Sequence, residues 1–157
     1  MSERRKLEFG DWDEVISNLR QLESGYQQHK AWNLEQSARH IDDWIRFPMD
    51  GFPKQPIFMR GFLWVLRTLF GKSTLKSILA ERRMKDGIPT APQTVYEAKS
   101  PESERKAVED LIKTIERFRA WDKPLFDSPF FGPTDHETAS KLHLVHAAHH
   151  LSWLEPA

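Results

Sequence analysis

The chain has no cysteine among its 157 residues. This absence excludes disulfide bridges, zinc sites built from thiolates and a cysteine nucleophile. A metal bound by this chain must therefore be held by nitrogen and oxygen ligands.

A net charge is also lacking, because 23 lysine and arginine residues balance 23 aspartate and glutamate residues when the histidines are neutral. Nothing in this balance favours a nucleic acid or an anionic membrane as a partner. At this length we expect one domain over residues 1–157 with a substantial buried core.

Long hydrophobic runs are lacking as well. The most apolar run, residues 57–70, is shorter than the roughly 20 residues that span a bilayer, and it contains Arg60 and Arg67. We therefore expect a buried helix there. Residues 1–10 are charged and lack the apolar centre of a signal peptide, so the sequence predicts a cytoplasmic protein.

Apolar periodicity and capping signals predict an all-α fold without strands. Two pairs of residues have the spacing of a capping box. They predict one helix over about residues 11–28 and a second from about residue 33 to residue 47, where Pro48 is expected to stop it. The pairs are Asp11 with Glu14 and Asn33 with Gln36.

The third predicted helix, residues 57–70, is apolar on nearly all sides. We expect it at the centre of the bundle, with Gly71 as its C-terminal stop. A helical continuation over residues 74–84 and a long ordered loop over residues 85–99 come next.

Two further helices complete the prediction. Ser100 caps the fourth helix. Thr134, with Glu137 three residues later, caps a fifth helix that reaches about Leu154. Helical periods without repeats indicate a helical bundle.

Five of the seven histidines lie between residues 136 and 150. His146 and His150 are four residues apart, which places their imidazoles on one helix face, about 40° apart around the axis. This face is mostly apolar and is expected to point inward, where unpaired imidazoles are costly. A shared divalent metal satisfies both, and hydrogen bonds to side chains or buried water would do so too.

His40, on an inward-looking face of the second helix, is the best candidate for a third ligand. His143 is a weaker alternative, because it lies about 60° from His146 around the helix. His149 lies about 100° from His150, so these two cannot easily face one ion. Three imidazoles suit zinc, nickel, iron or copper.

Several other side chains near the predicted site have two interpretations. Gln36 and Asp43 either hydrogen-bond the outer nitrogen of a ligand or face solvent. Trp44 and Trp153 either wall the site or belong to the core. The cations that either recognise an anionic substrate or are ordinary surface charges are Lys30, Arg39 and Arg60.

The loop over residues 122–133 is rich in phenylalanine. We expect it to pack over one mouth of the bundle without supplying a ligand, because about 18 Å of helix separates Thr134 from His146. The pocket should then open near the C-terminal half of the fifth helix. The aromatic residues of this loop are Phe126, Phe130 and Phe131.

Two segments carry a resemblance to a known family. They are Trp32-Asn33-Leu34 before His40, and Phe130-Phe131-Gly132-Pro133-Thr134 followed by Leu142-His143-Leu144-Val145-His146-Ala147-Ala148-His149-His150-Leu151. In order and spacing the chain resembles the DinB-like (DinB/YfiT) superfamily of four-helix bundle proteins. It looks most like an uncharacterised branch of that superfamily, a domain of unknown function, over nearly its whole length.

The resemblance implies a four-helix bundle with a long crossover and an additional short helix. It also implies a divalent metal held by His40, His146 and His150, with positions open for water or substrate. Characterised relatives include transferases that use low-molecular-weight thiols and a thiol-dependent isomerase, in which the metal activates the thiol. Many relatives carry glutamine three residues after the last ligand, where this chain has Trp153, so a specific substrate does not transfer.

The sequence leaves three hypotheses for function. The first is a metal-dependent enzyme that acts on a small-molecule substrate, by transfer of an external low-molecular-weight thiol to an electrophile or by metal-assisted hydrolysis. The second is a non-catalytic bundle that binds a metal or a small ligand. The third is a histidine-rich core without metal, with a homodimer as an open alternative to a monomer.

Overall fold

The computed structural model describes residues 4–88 and 90–157; Pro89, which falls in the predicted loop over residues 85–99, and the first three residues lie outside that range. The predicted all-α bundle is confirmed. The α-helices are α1 (Trp12–Glu23), α2 (Leu34–Asp50), α3 (Ile57–Leu66), α4 (Lys72–Glu81), α5 (Pro101–Arg119) and α6 (His136–Leu151). A π-helical turn (Arg67–Gly71) joins α3 to α4, and a 3-10 turn (Pro92–Thr94) precedes α5.

The core lies between α1, α2, α5 and α6. Their apolar residues recur at helical spacing, so one face of each helix is buried against the others. Each fully buried aliphatic side chain contributes about 1.5–3 kcal/mol by leaving water. Side chains with no exposed surface include Val15, Leu19, Leu22, Ile41, Ile45, Val108, Leu111, Ile115, Phe118 and Leu151.

The long connection between α2 and α5 matters for the site, because these two helices pack against each other most extensively. The chain leaves α2, forms α3 and α4 outside the core, and returns over α2 before α5 begins. In this return the 3-10 turn contacts α2, and α4 packs against α6.

The predicted cap residues are confirmed for α1 and α2, and the full capping box forms in α2 only, because the Glu14 carboxylate accepts from the backbone N–H of Gly10 instead of Asp11. The Asp11 carboxylate accepts a hydrogen bond from the backbone N–H of Glu14, at 2.9 Å. Asn33 and Gln36 form a reciprocal box, each side chain accepting from the other's backbone N–H at 3.0 Å. The ends of both helices differ from the prediction.

The first helix stops at Glu23 rather than near residue 28, because Gly25 takes a positive φ of 136° that turns the chain. The next residues form β1 (Tyr26–Gln28), which pairs antiparallel with β2 (Leu154–Pro156). The prediction of no strands is therefore wrong for this small sheet. It also explains why α6 ends before Leu154.

Pro48 does not stop α2, which continues to Asp50. A proline has no backbone N–H to donate to the helix. Because Pro48 lies in the last turn of α2, its missing donor disrupts little of the helix. The backbone N–H of Gly51 still bonds the carbonyl of Phe47 at 2.8 Å, and the Pro48 carbonyl accepts from the N–H of Phe126 at 2.8 Å.

The cap of α6 is Asp135, not Thr134: its carboxylate accepts from the N–H of Thr138 at 2.7 Å. The helix therefore starts one residue later than predicted. Glu137 lies in its first turn, where a negative charge is favourable.

The expectation that the third helix lies at the centre of the bundle is wrong. No residue of α3 is buried, and Gly71 does not end the helical segment but lies between α3 and α4. A Cβ at Gly71 would lie 2.8 Å from the carbonyl oxygen of Phe130, so a larger residue does not fit this crossing. Among the described helices, none combines the length and apolarity needed to cross a bilayer.

Candidate metal centre

Three imidazoles from two helices converge at the predicted site. The Nε2 atom of His146 lies 3.1 Å from Nε2 of His40 on α2 and 3.1 Å from Nε2 of His150 on α6. One ligand atom from each residue lies within 4.8 Å of the others, an arrangement that could hold a metal ion. The pairing of α2 with α6 brings these residues together.

The tautomer of His40 is set by its outer nitrogen. Nδ1 lies 3.1 Å from the backbone carbonyl oxygen of Thr94 and 3.1 Å from its Oγ1. A carbonyl can only accept, so Nδ1–H donates and Nε2 presents a lone pair to the other two rings.

The donor set fits a transition metal better than hydrogen bonding alone. A shared proton can join only one pair of Nε2 atoms, whereas a metal can accept all three lone pairs. With metal–nitrogen bonds of about 2.0–2.1 Å, ligand nitrogens are separated by about 2.9 Å at right angles and about 3.3 Å in a tetrahedron. The two separations from His146, 3.1 Å each, lie between these values, and the His40 and His150 ligand atoms lie within 4.8 Å of each other.

Burial keeps all three rings neutral. It lowers the pKa of His40 to about 4. Burial, with the neighbouring imidazoles as a second cause, lowers the pKa of His146 and of His150 well below the ordinary value. Neutral imidazole is the form that binds a metal, so the site is ready for one at neutral pH.

Aromatic rings wall the cluster. Trp32 stacks on His150, with ring centroids 5.4 Å apart and planes 12° apart. Trp44 lies 6.3 Å from the His146 ring, and Phe130 packs 5.7 Å from Trp44. The surroundings of the three imidazoles are therefore largely apolar.

A model of the family described as protein of unknown function (DUF1569) matches residues 1–157. The chain belongs to this family. No curated protein and no solved structure is matched by it. The description names no activity, so the chemistry of this DUF1569 chain must be argued from its site.

The outer partner of the His40 ring differs from the prediction. Gln36 donates to the carbonyl of Tyr96 at 2.8 Å, and Asp43 is bonded by Arg46 and by the Tyr96 hydroxyl. Neither holds a ligand ring; Thr94, with no exposed surface, holds His40 instead. The sequence did not indicate this role of Thr94, because Thr94 lies in a connection without helical periodicity. Only the folding of that connection over α2 brings Thr94 to His40.

Of the two tryptophans that were expected either to wall the site or to belong to the core of the DUF1569 chain, one lies at the site. Trp44 contacts the rings of His40 and His146. Trp153 packs beside cations instead, with the Lys30 ammonium 4.5 Å from its ring centroid. Trp32 was missed as a wall, although it stands beside the Asn33 cap and within the segment that carries the family resemblance.

The other histidines of α6 are not brought into the cluster. His143 is 5 % exposed and packs edge-on against Phe118, at 5.3 Å between centroids, so it is not an alternative ligand. His149 points to Arg4, whose Nη2 lies 3.1 Å from its Nδ1. This agrees with the expectation that His149 and His150 face different directions.

The cations that were candidates for either substrate recognition or ordinary surface charge do not line the three-histidine cluster. Arg39 lies 4.2 Å from the Tyr96 ring centroid and lines a polar cavity of about 210 Å³ between α2 and α5. Arg60 is exposed on α3. The polar cavity is lined by Asp42, Asp43, Arg46 and Lys106 among others, not by the three clustered histidines.

The aromatic loop packs where α2 ends. Phe126 lies near Gly51 and Phe130 lies on Trp44. Phe130 thus reaches the wall of the site, one ring away from His146, and supplies no ligand atom. Distance along α6 alone did not reveal this, because the loop folds back along the bundle.

Proposed function

We propose that this protein is a metal-dependent enzyme in which His40, His146 and His150 hold a divalent transition metal: zinc, nickel or iron. The observation that carries the proposal is the convergence of three Nε2 atoms, with the His40 tautomer set by Thr94. Three neutral nitrogen ligands leave coordination positions for a reactant.

The proposed reaction is transfer of a low-molecular-weight thiol to an electrophile, or hydrolysis. A metal at this position supplies Lewis acidity that lowers the pKa of a coordinating thiol or water. Because the chain has no cysteine, the thiol comes from outside. The cytoplasm is the proposed setting, since thiols are kept reduced there.

Residues of the chain bind and orient the small-molecule substrate. Trp32 and Trp44 exclude water from two sides of the cluster and offer apolar surface to the substrate. Thr94 fixes the His40 ring. The fold and the positions of the three histidines support membership of the DinB-like superfamily, which we propose as the wider relationship.

A second candidate function is metal or small-ligand binding without catalysis. One observation favours it. Within the described part of the chain, the hydrogen-bond partners of the three imidazoles are Thr94 and one another. No general base is among them, so catalysis would depend on the metal and the incoming reactant.

Elemental analysis of protein purified without a histidine tag tests the metal. We expect close to one equivalent in the wild type and a sharp loss in His40→Ala, His146→Ala and His150→Ala. His149→Ala is the matched control on the same helix and should retain the metal. Loss in the control together with retention in His150→Ala would refute the proposed ligand set.

Activity then separates the two functions. The metal-loaded protein is assayed with glutathione and an aryl halide, and separately with an activated ester. Turnover that disappears in His150→Ala and persists in His149→Ala supports an enzyme. Full metal occupancy without turnover in either assay favours the binding protein.

A further inference from the structure

The outer surface of α3 is strongly apolar. Eight large hydrophobic side chains between residues 57 and 70 are at least 38 % exposed, in a segment with no acidic residue. We call them the α3 patch. They are Ile57, Phe58, Phe62, Trp64, Val65, Leu66, Leu69 and Phe70.

The patch covers more than half of the helix circumference. At about 100° per residue, the six exposed apolar positions within α3 itself span roughly 200° of arc, and Leu69 and Phe70 follow in the π-helical turn. The less exposed positions, Met59, Leu63 and Arg67, lie on the remaining arc. A helix that is apolar on nearly all sides is normally buried on all sides. In α3 more than half of the circumference is left exposed.

The area of the patch is the second observation. Large aromatic side chains offer about 150–250 Å² each, so the exposed fractions correspond to an area on the order of 900 Å². The largest apolar patch of a typical monomer is about 300–600 Å². A stable protein interface buries about 800 Å² on each partner, which is similar in size to the α3 patch.

A second copy of the chain fits this surface better than a lipid bilayer. Helices that lie in a membrane interface carry cations along a hydrated polar face. Here Arg60 is the one exposed charged residue of the 57–70 segment, because Arg67 is less exposed and its Nη1 approaches the carbonyl oxygen of Ser128 at 3.5 Å. A single exposed cation does not form such a polar face.

Gly61 gives the patch a shape suited to helix pairing. Nothing lies within 4 Å of a Cβ placed at Gly61, so its backbone is open to a close neighbour. Val65 lies one turn later. In an antiparallel pair about a two-fold axis near Val65, an arginine of one copy meets apolar side chains of the other and not a second arginine.

We propose that the protein forms a two-fold symmetric homodimer in which the α3 patches of two copies pack against each other. The interface is self-complementary, so it closes at two copies. It lies on α3 and does not include the three clustered histidines, so it is independent of the function proposed above.

The mass of the full-length chain in solution tests the dimer. Analytical ultracentrifugation should show a species of twice the 18.4 kDa chain mass. Phe62→Glu and Leu69→Glu each place a charge on the patch, at positions 57 % and 65 % exposed, and should halve this mass. Ile88→Glu is the control, since Ile88 is 59 % exposed but lies in the crossover loop.

Circular dichroism and metal content of the variants, both expected to match the wild type, show that a halved mass is not a consequence of unfolding. A monomeric wild type, a larger assembly, or glutamate variants that stay dimeric would overturn the proposal. Flotation with phosphatidylcholine–phosphatidylglycerol vesicles tests the alternative that the α3 patch binds a membrane. Binding of a monomeric wild type to these vesicles, lost in Phe62→Glu, would assign the patch to a membrane.

Discussion

His143 is a buried histidine outside the three-imidazole cluster. Its Nε2 has no hydrogen-bond partner within the described residues, and burial lowers its pKa to about 3. In the unfolded chain the pKa returns to about 6.5. Between these values only the unfolded chain binds the proton, so the free energy of unfolding falls as the pH drops from 6.5 towards 3.

We predict that His143→Leu removes this loss. The variant should be more stable than the wild type at pH 5, and the difference should grow on further acidification by at most about 1.4 kcal/mol per pH unit. Near pH 7 the free energy of unfolding should change little, because two effects of the substitution oppose each other. Removing the buried unpaired nitrogen stabilises the fold, and losing the edge-on contact with the Phe118 ring destabilises it. Urea denaturation across this pH range measures the effect, and parallel curves for the two proteins would show that the prediction is wrong.

At the same scale, the candidate ligands could be predicted but the residue that orients one of them could not. His146 and His150 share a helix face because of their spacing, and His40 lies on the inward face of a recognisable amphipathic helix. Thr94 lies in a connection where neither period nor cap gives a direction. Thr94 and His40 are 54 residues apart in the sequence, and only the folded connection between α2 and α5 brings them into contact.

At the scale of elements, helix starts were more predictable than helix ends and positions. A cap requires particular side chains at a fixed spacing, whereas an end depends on the tertiary contacts of the residues beyond it. Pro48 fits within the last turn of α2, and the chain after α1 pairs with β2. The apolar pattern of α3 indicates that its surface will be buried. The pattern does not indicate whether the helices of the same chain or another molecule bury it.

The cap of α6 provides a matched pair of variants. Asp135→Ala should lower the free energy of unfolding by about 1 kcal/mol, because the N–H of Thr138 loses its partner. Thr134→Ala, one residue earlier, should have a much smaller effect. Both should keep their metal, since about 17 Å of helix separates Asp135 from His146.

Denaturation with urea and elemental analysis of the two variants test this assignment. A larger loss of stability in Thr134→Ala than in Asp135→Ala would move the cap back to the residue that the sequence first indicated. Loss of metal from folded Asp135→Ala would show that the start of α6 and the ligands are coupled more tightly than their distance suggests.

At the scale of the whole molecule, the candidate site joins distant parts of the chain. His40 and His146 are separated by 106 residues, and the helices that carry them meet only in the folded bundle. A metal held by both α2 and α6 therefore binds the folded state far better than the unfolded chain. By mass action, binding stabilises the fold by about 2.7 kcal/mol when the free metal is at about a hundred times its Kd.

For a chain of this size we predict that removal of the metal lowers Tm by about 5–10 °C. His149→Ala should show the same difference between metal-loaded and metal-free protein. His150→Ala should melt at one temperature in the presence or absence of added metal, because its remaining imidazoles hold the ion weakly. Calorimetric scans with and without a chelator measure these values. An unchanged Tm in a wild type known to have lost its metal would mean that the ion does not bridge α2 and α6, and the three convergent nitrogens would then be explained by packing alone.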